Sequence, residues 1–158
     1  MESKGKNEQK SEKNEKEESL SAEDATAEII EQIKNASEKD SELNKEGKPA
    51  VWKLTAIETV YPKLLNKKIH QDLLDGGVLV HLKKWLEPLP DNSLPPEEVK
   101  RQVLDALMKF DPEVEHLVES GIGKIILFYS KNPYEKKNIQ TMAKKLVLKW
   151  IETAKEEA

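Results

Sequence analysis

The strongest pattern in the chain lies near its carboxyl end. Ile139, Met142, Ala143, Leu146, Val147, Trp150 and Ile151 fall at i, i+3, i+4, i+7, i+8, i+11 and i+12, the spacing of one apolar helix face. Val78, Leu79, Leu82, Trp85 and Leu86 repeat in the same way until Pro88 and Pro90 close the segment. Val99, Val103, Leu104, Leu107 and Met108 mark a helix opened by Pro95 and Pro96, with Glu97 and Glu98 placed at the positive end of its dipole. The apolar positions from Val51 to Val60 predict a helix that Pro62 ends or kinks. Lys67 to Leu74 predicts a short one stopped by Gly76 and Gly77.

Asp111-Pro112 reads as the N-cap and first turn of a further helix, which Ser120-Gly121 closes. The run Ile125-Ile126-Leu127-Phe128-Tyr129 has strand-forming residue types. Every neighbouring segment is helical and no second strand is available to pair with it, so a buried helix is expected. Asn132-Pro133-Tyr134-Glu135 has the form of a capping box with proline at the first helical position.

The front of the chain is different. After Met1, residues 2–19 contain nothing to bury, and interleaved Lys and Glu suggest a solvated tail. From Ser21 the text changes: Ser21 and Asp24 resemble a capping pair, and Ile29, Ile30 and Ile33 share a narrow helical stripe. That stripe could pack on the main domain or fold only with a partner. The expected organisation is therefore a disordered charged tail (1–20), an amphipathic helical extension and linker (21–48), and an all-α domain (49–158) of about seven short helices.

Composition supports this division. Of 158 residues, 37% are hydrophobic and 35% charged, against about 45–50% and about 25% in an ordinary globular domain. The first 48 residues carry a net charge of −5 and the remaining 110 a net of +1. Neither a membrane-length apolar run nor a signal-peptide core is present, so a soluble intracellular protein is expected. With no cysteine, disulfides, thiolate catalysis, zinc fingers and iron–sulfur clusters are excluded.

Catalytic chemistry finds no support. His70, His81 and His116 lack metal-ligand spacing. Gly121-Ile122-Gly123-Lys124 fails as a phosphate loop because Val118 takes the first glycine position and Ile125 follows the lysine. A helix end and a tight restart account for those glycines better. No enzyme and no cofactor are expected.

Charge is more informative. From Gly121 to Ile151 there are seven lysines, Lys124, Lys131, Lys136, Lys137, Lys144, Lys145 and Lys149, against Glu135 alone, a net of +6. A solvated helix face, a nucleic-acid surface and a seat for an acidic peptide all fit this segment. The aromatic interleaving of a single-strand platform is missing, so nucleic-acid contact would be to phosphates only. For a peptide, Lys124 and Phe128 at i, i+4 put a charge and an aromatic on one face. Tyr129 and Lys131 are secondary candidates for the same partner surface.

Three blocks carry a family resemblance: WLEPLPDNSLP from Trp85, HLVESGIGKIILFYSK from His116 and AKKLVLKW from Ala143. Together they resemble the core of the Interacts-with-Spt transcription elongation factors, a class similar to the TFIIS N-terminal domain named for its Leu and Trp. The resemblance covers about Val51 to Ile151 and leaves the front tail outside it. It implies a right-handed superhelical bundle of the armadillo or HEAT kind and a nuclear, non-enzymatic role in RNA polymerase II elongation, mRNA processing and chromatin maintenance. The implied partner is an acidic, disordered segment of the suppressor-of-Ty-six histone chaperone, with the polymerase engaged indirectly. Lys124 and Phe128 match the basic residue and aromatic of the family's site. Weak or no direct nucleic-acid binding, no membrane contact and a monomeric state are expected; the alternative is a basic helical domain binding nucleic acid or histones directly.

Overall fold

A computed structural model describes residues 2–157. Eight helices occur among them: α1 (Glu2–Lys45), α2 (Trp52–Leu64), α3 (His70–Asp75), α4 (Val78–Leu86), α5 (Glu97–Lys109), α6 (Val114–Ser120), α7 (Ile122–Lys131) and α8 (Lys137–Glu157), with a 3-10 turn at Lys67–Ile69 before α3. No strand is present among the described residues, so the Ile125–Tyr129 run is helical as expected. Among the same residues no helix is long and apolar enough to cross a membrane.

The core forms where the apolar stripes meet. Leu82, Trp85 and Leu86 of α4, Val103, Leu104 and Leu107 of α5, and Ile139, Leu146 and Trp150 of α8 are all buried in one cluster. Helix α5 lies centrally, packing on α2, α4 and α8, while α7 and α8 form a hairpin. Lys149 fastens α8 to the end of α5, its ammonium donating to the carbonyls of Met108 (2.6 Å) and Phe110 (2.5 Å). A cation at a helix carboxyl terminus satisfies acceptors that have no partner within the helix.

The stripe of α1 is part of this same core. Ile29, Ile33 and Ala36 are buried in it, and two hydrogen bonds fix the helix. The Trp85 indole N–H donates to the Ile33 carbonyl at 2.7 Å. The carboxylate of Asp40, itself buried, accepts the backbone N–H groups of Trp52 (2.8 Å) and Lys53 (3.0 Å). Asp40 thus caps α2 from the preceding helix, because α2 has no side-chain cap of its own. Burial lowers the pKa of the adjacent Lys53, an effect that Asp40 and then Glu87 counteract.

Helix α1 is drawn from Glu2, and the Lys, Glu and Gln of residues 2–20 have the intrinsic propensity for it. Three local expectations are corrected. Asp111-Pro112 does not open α6, which begins at Val114, with the Glu113 N–H donating to His116 Nδ1 at 3.0 Å. Asn132-Pro133 does not cap α8 either. Asn132 Oδ1 instead accepts the Tyr134 N–H within a turn (3.1 Å), and α8 starts at Lys137. Finally, Ile151 ends the carboxyl-terminal stripe in solvent rather than in the core.

Candidate partner-binding site

Helix α7 is held between an interior and an exterior face. Ile122, Ile126, Tyr129 and Ser130 are buried, at the i, i+4, i+7 and i+8 positions that stack on one side of a helix. Lys124, Leu127, Phe128 and Lys131 stand on the other side, with Leu127 42% and Phe128 44% exposed. The spacing of Lys124 and Phe128 therefore does place them together, as the sequence predicts, and Lys131 joins them one turn on. Leu127 belongs to the same face and was missed; its signal is the i+3 position from Lys124.

Tyr129 is elsewhere, and its expected place on the partner surface is corrected. Its side chain is 0% exposed and its hydroxyl donates to the Leu86 carbonyl at 2.5 Å, closing the last turn of α4. Burial first, and the Glu135 carboxylate second, push the phenol well above its ordinary range. Phe128 meets this ring edge-on, with centroids 5.5 Å apart and planes at 72°, an arrangement favoured by aromatic quadrupoles. Tyr129 is thus the buried support of an exposed platform.

A second support lies behind it. Lys100 of α5 donates to both oxygens of Glu135 at 2.9 and 3.0 Å, with both side chains nearly out of solvent. The Lys100 ammonium also lies 5.6 Å from the centre of the Tyr129 ring, within cation–π range. This pair ties the turn before α8 to α5. Sequence reading missed it because its partners are 35 residues apart.

Gly121 sets the direction of α7. Its φ of +66° ends α6 and begins α7 at one residue, a left-handed conformation that costs glycine little. Gly123 has no such constraint, since a Cβ there would meet nothing within 4 Å.

The basic surface is smaller than the count of seven lysines suggests. Lys149 is used on the end of α5 and Lys136 pairs with Glu97 at 2.5 Å. Lys124, Lys131, Lys137, Lys144 and Lys145 remain exposed, without an ion pair among the described residues. Two of the three histidines hold structural positions: His70 stacks on Phe110 at 4.2 Å and His116 Nε2 meets Asp75 at 3.0 Å. No group of three or more metal-ligating side chains occurs among the described residues.

Comparison with known proteins places these features in context. The family model described as Med26, a TFIIS helical bundle-like domain, matches residues 102–153. Protein IWS1 homolog 1 of Arabidopsis thaliana is 40% identical over 152 residues, covering 92% of this chain and 30% of its own length. Transcription factor iws1 of Schizosaccharomyces pombe is 39% identical over 129 residues, covering 82% and 30%. A chain in the crystal structure of a Spt6-Iws1(Spn1) complex from Encephalitozoon cuniculi superposes with a TM-score of 0.82 at 38% identity, covering 84% of this chain and 97% of that one. This chain thus spans about a third of the length of the curated relatives it matches.

Proposed function

This chain belongs to the IWS1 family of transcription factors, and from that premise and the exposed face of α7 we propose that it is a non-enzymatic transcription-elongation module that captures a short acidic segment of Spt6. The single observation that carries the reading is the apolar pair Leu127–Phe128, half-exposed between two unpaired lysines, Lys124 and Lys131, on a helix braced from behind. The solved relative is itself part of a Spt6-Iws1 complex.

The energetics define what the partner must do. Two buried apolar anchors contribute about 1.5–3 kcal/mol each, and ordering a disordered segment costs about 2–5 kcal/mol or more. Anchors alone nearly cancel that cost, so the segment runs past α7 and adds backbone hydrogen bonds and lysine contacts. Lys124 attracts a carboxylate as a point charge rather than through the bidentate fork of an arginine. The lysines then govern association rate and salt sensitivity, and the apolar pair governs residence time. On this reading the module acts in the nucleus as a monomer, reaches RNA polymerase II through Spt6, and has weak or no affinity of its own for nucleic acid.

The test is titration of isotope-labelled protein with an acidic, aromatic-containing Spt6 peptide, set beside a DNA mobility shift at physiological salt. Shifts confined to α7 and its surroundings, abolished by Lys124→Glu, support the reading. A DNA shift with no response to the peptide replaces it with direct nucleic-acid binding through the five unpaired lysines, which would give a salt slope of about −4.5.

A further inference from the structure

A second unpartnered surface lies on the part of the fold farthest in sequence from α7. Helices α1 and α2 run antiparallel, Asp40 meeting Trp52 at one end and Gln32 donating to Thr59 at 2.8 Å toward the other. Their outer sides leave a groove of about 670 Å³. It exists because the facing residues are small: Ala36 on α1, and Thr55, Ala56 and Thr59 on α2. Trp52 forms the wall at one end, 45% exposed, with the Lys39 ammonium 3.9 Å from its ring centre.

The two ends differ in charge. At the end away from Trp52 the rim carries Glu28 and Glu31, neither in an ion pair among the described residues. The stretch from Glu23 to Lys45 has a net charge of −4, opposite in sign to the Gly121–Ile151 segment. An acidic segment suited to α7 is therefore repelled here. From Glu28 to Lys39 the lining of α1 covers about 17 Å, or three turns, at 1.5 Å per residue.

We propose that this groove is a docking site for a basic amphipathic helix of a partner protein, about three turns long, with apolar residues along one stripe and lysine or arginine at the end over Glu28 and Glu31. Small residues let a third helix approach the pair closely, and Trp52 supplies the aromatic contact area that dominates such interfaces. The partner is opposite in charge to the one proposed for α7, so the chain bridges two ligands rather than offering two seats to one.

Two synthetic peptides test this. They share a leucine stripe, and one carries lysines where the other carries glutamates. Trp52 reports on the groove by fluorescence, since Trp85 and Trp150 are buried, and amide shifts locate the contact. The lysine peptide is expected to perturb residues 28–39 and 52–59, and to bind the Phe128→Ala variant with unchanged affinity. Thr55→Arg, which places a long cation in the groove, weakens it about tenfold or more. Glu28→Lys combined with Glu31→Lys reverses the preference between the peptides. Equal binding of both peptides, shifts that map to α7, no perturbation at all, or sedimentation showing that a second copy of the chain fills the groove would each overturn the proposal.

Discussion

Phe128 rests its ring edge-on against Tyr129, the first half-exposed and the second wholly buried, with centroids 5.5 Å apart. Adjacent residues of one helix thereby divide two jobs, contact outside and support inside. Because the support is independent of solvent, the outer ring can be removed while the inner one keeps α7 in place. Phe128→Ala is expected to weaken the acidic peptide by more than about 1 kcal/mol, with a stability loss well short of the ~3–5 kcal/mol of a fully buried phenylalanine. Calorimetric titration beside a thermal melt checks both; a melt that collapses would return Phe128 to the core.

Removing one member of the Lys100–Glu135 pair leaves a charge stranded out of solvent. Lys100→Met alone is expected to cost about 3–5 kcal/mol, whereas Lys100→Met with Glu135→Leu should recover most of that loss. Urea unfolding of the two single variants and the double closes the cycle. If the single variant were neutral, the pair would not brace the platform.

Asp40 satisfies two backbone donors at the start of a helix other than its own. Asp40→Ala should cost about 1–3 kcal/mol and speed amide exchange at Trp52 and Lys53 more than anywhere in α5 or α8. Uniform acceleration along the chain would show instead that the cap has only a global effect.

The Tyr61 hydroxyl donates to Asp105, which also receives Lys109 at 3.0 Å. The tyrosine hydrogen bond, ahead of the lysine, holds the Asp105 carboxyl below its usual range, and the same bond pushes the Tyr61 phenol above its own. The aspartate contribution is full above the unfolded carboxyl value of about 3.9 and is lost as pH falls from there through the depressed folded value. The tyrosine contribution is full below about 10 and is lost as pH rises through the elevated one. Tyr61→Phe should therefore flatten the stability profile at both extremes and leave its shape near neutrality unchanged. Denaturant midpoints measured across pH decide this.

Much of the fold was legible because its helices have self-contained stripes. Helices α4, α5 and α8 could be read from spacing alone, as could the partnership of Lys124 with Phe128. Tyr129 was misplaced by adjacency: one step along a helix turns a side chain by about 100°, so the neighbour of an exposed residue can point to the core. Asn132-Pro133-Tyr134-Glu135 misled for another reason. Its letters fit a local cap, but Glu135 serves Lys100, a demand that no short window contains. The role of α1 was undecidable from three isoleucines and is settled by Asp40 and Trp85, whose partners lie 12 and 52 residues away.

The joint at Gly121 leaves no slack between α6 and α7, since one residue serves both. The compass bearing of Lys124 and Phe128 is consequently fixed both by this joint and by the buried Ile122, Ile126 and Tyr129 of the same helix. Inserting a single alanine after Gly123 would turn every later residue of α7 by about 100° relative to Ile122, so the outer pair and the buried Ile126 and Tyr129 would no longer both keep their places. Recognition at this surface is thus a matter of heading as well as of chemistry.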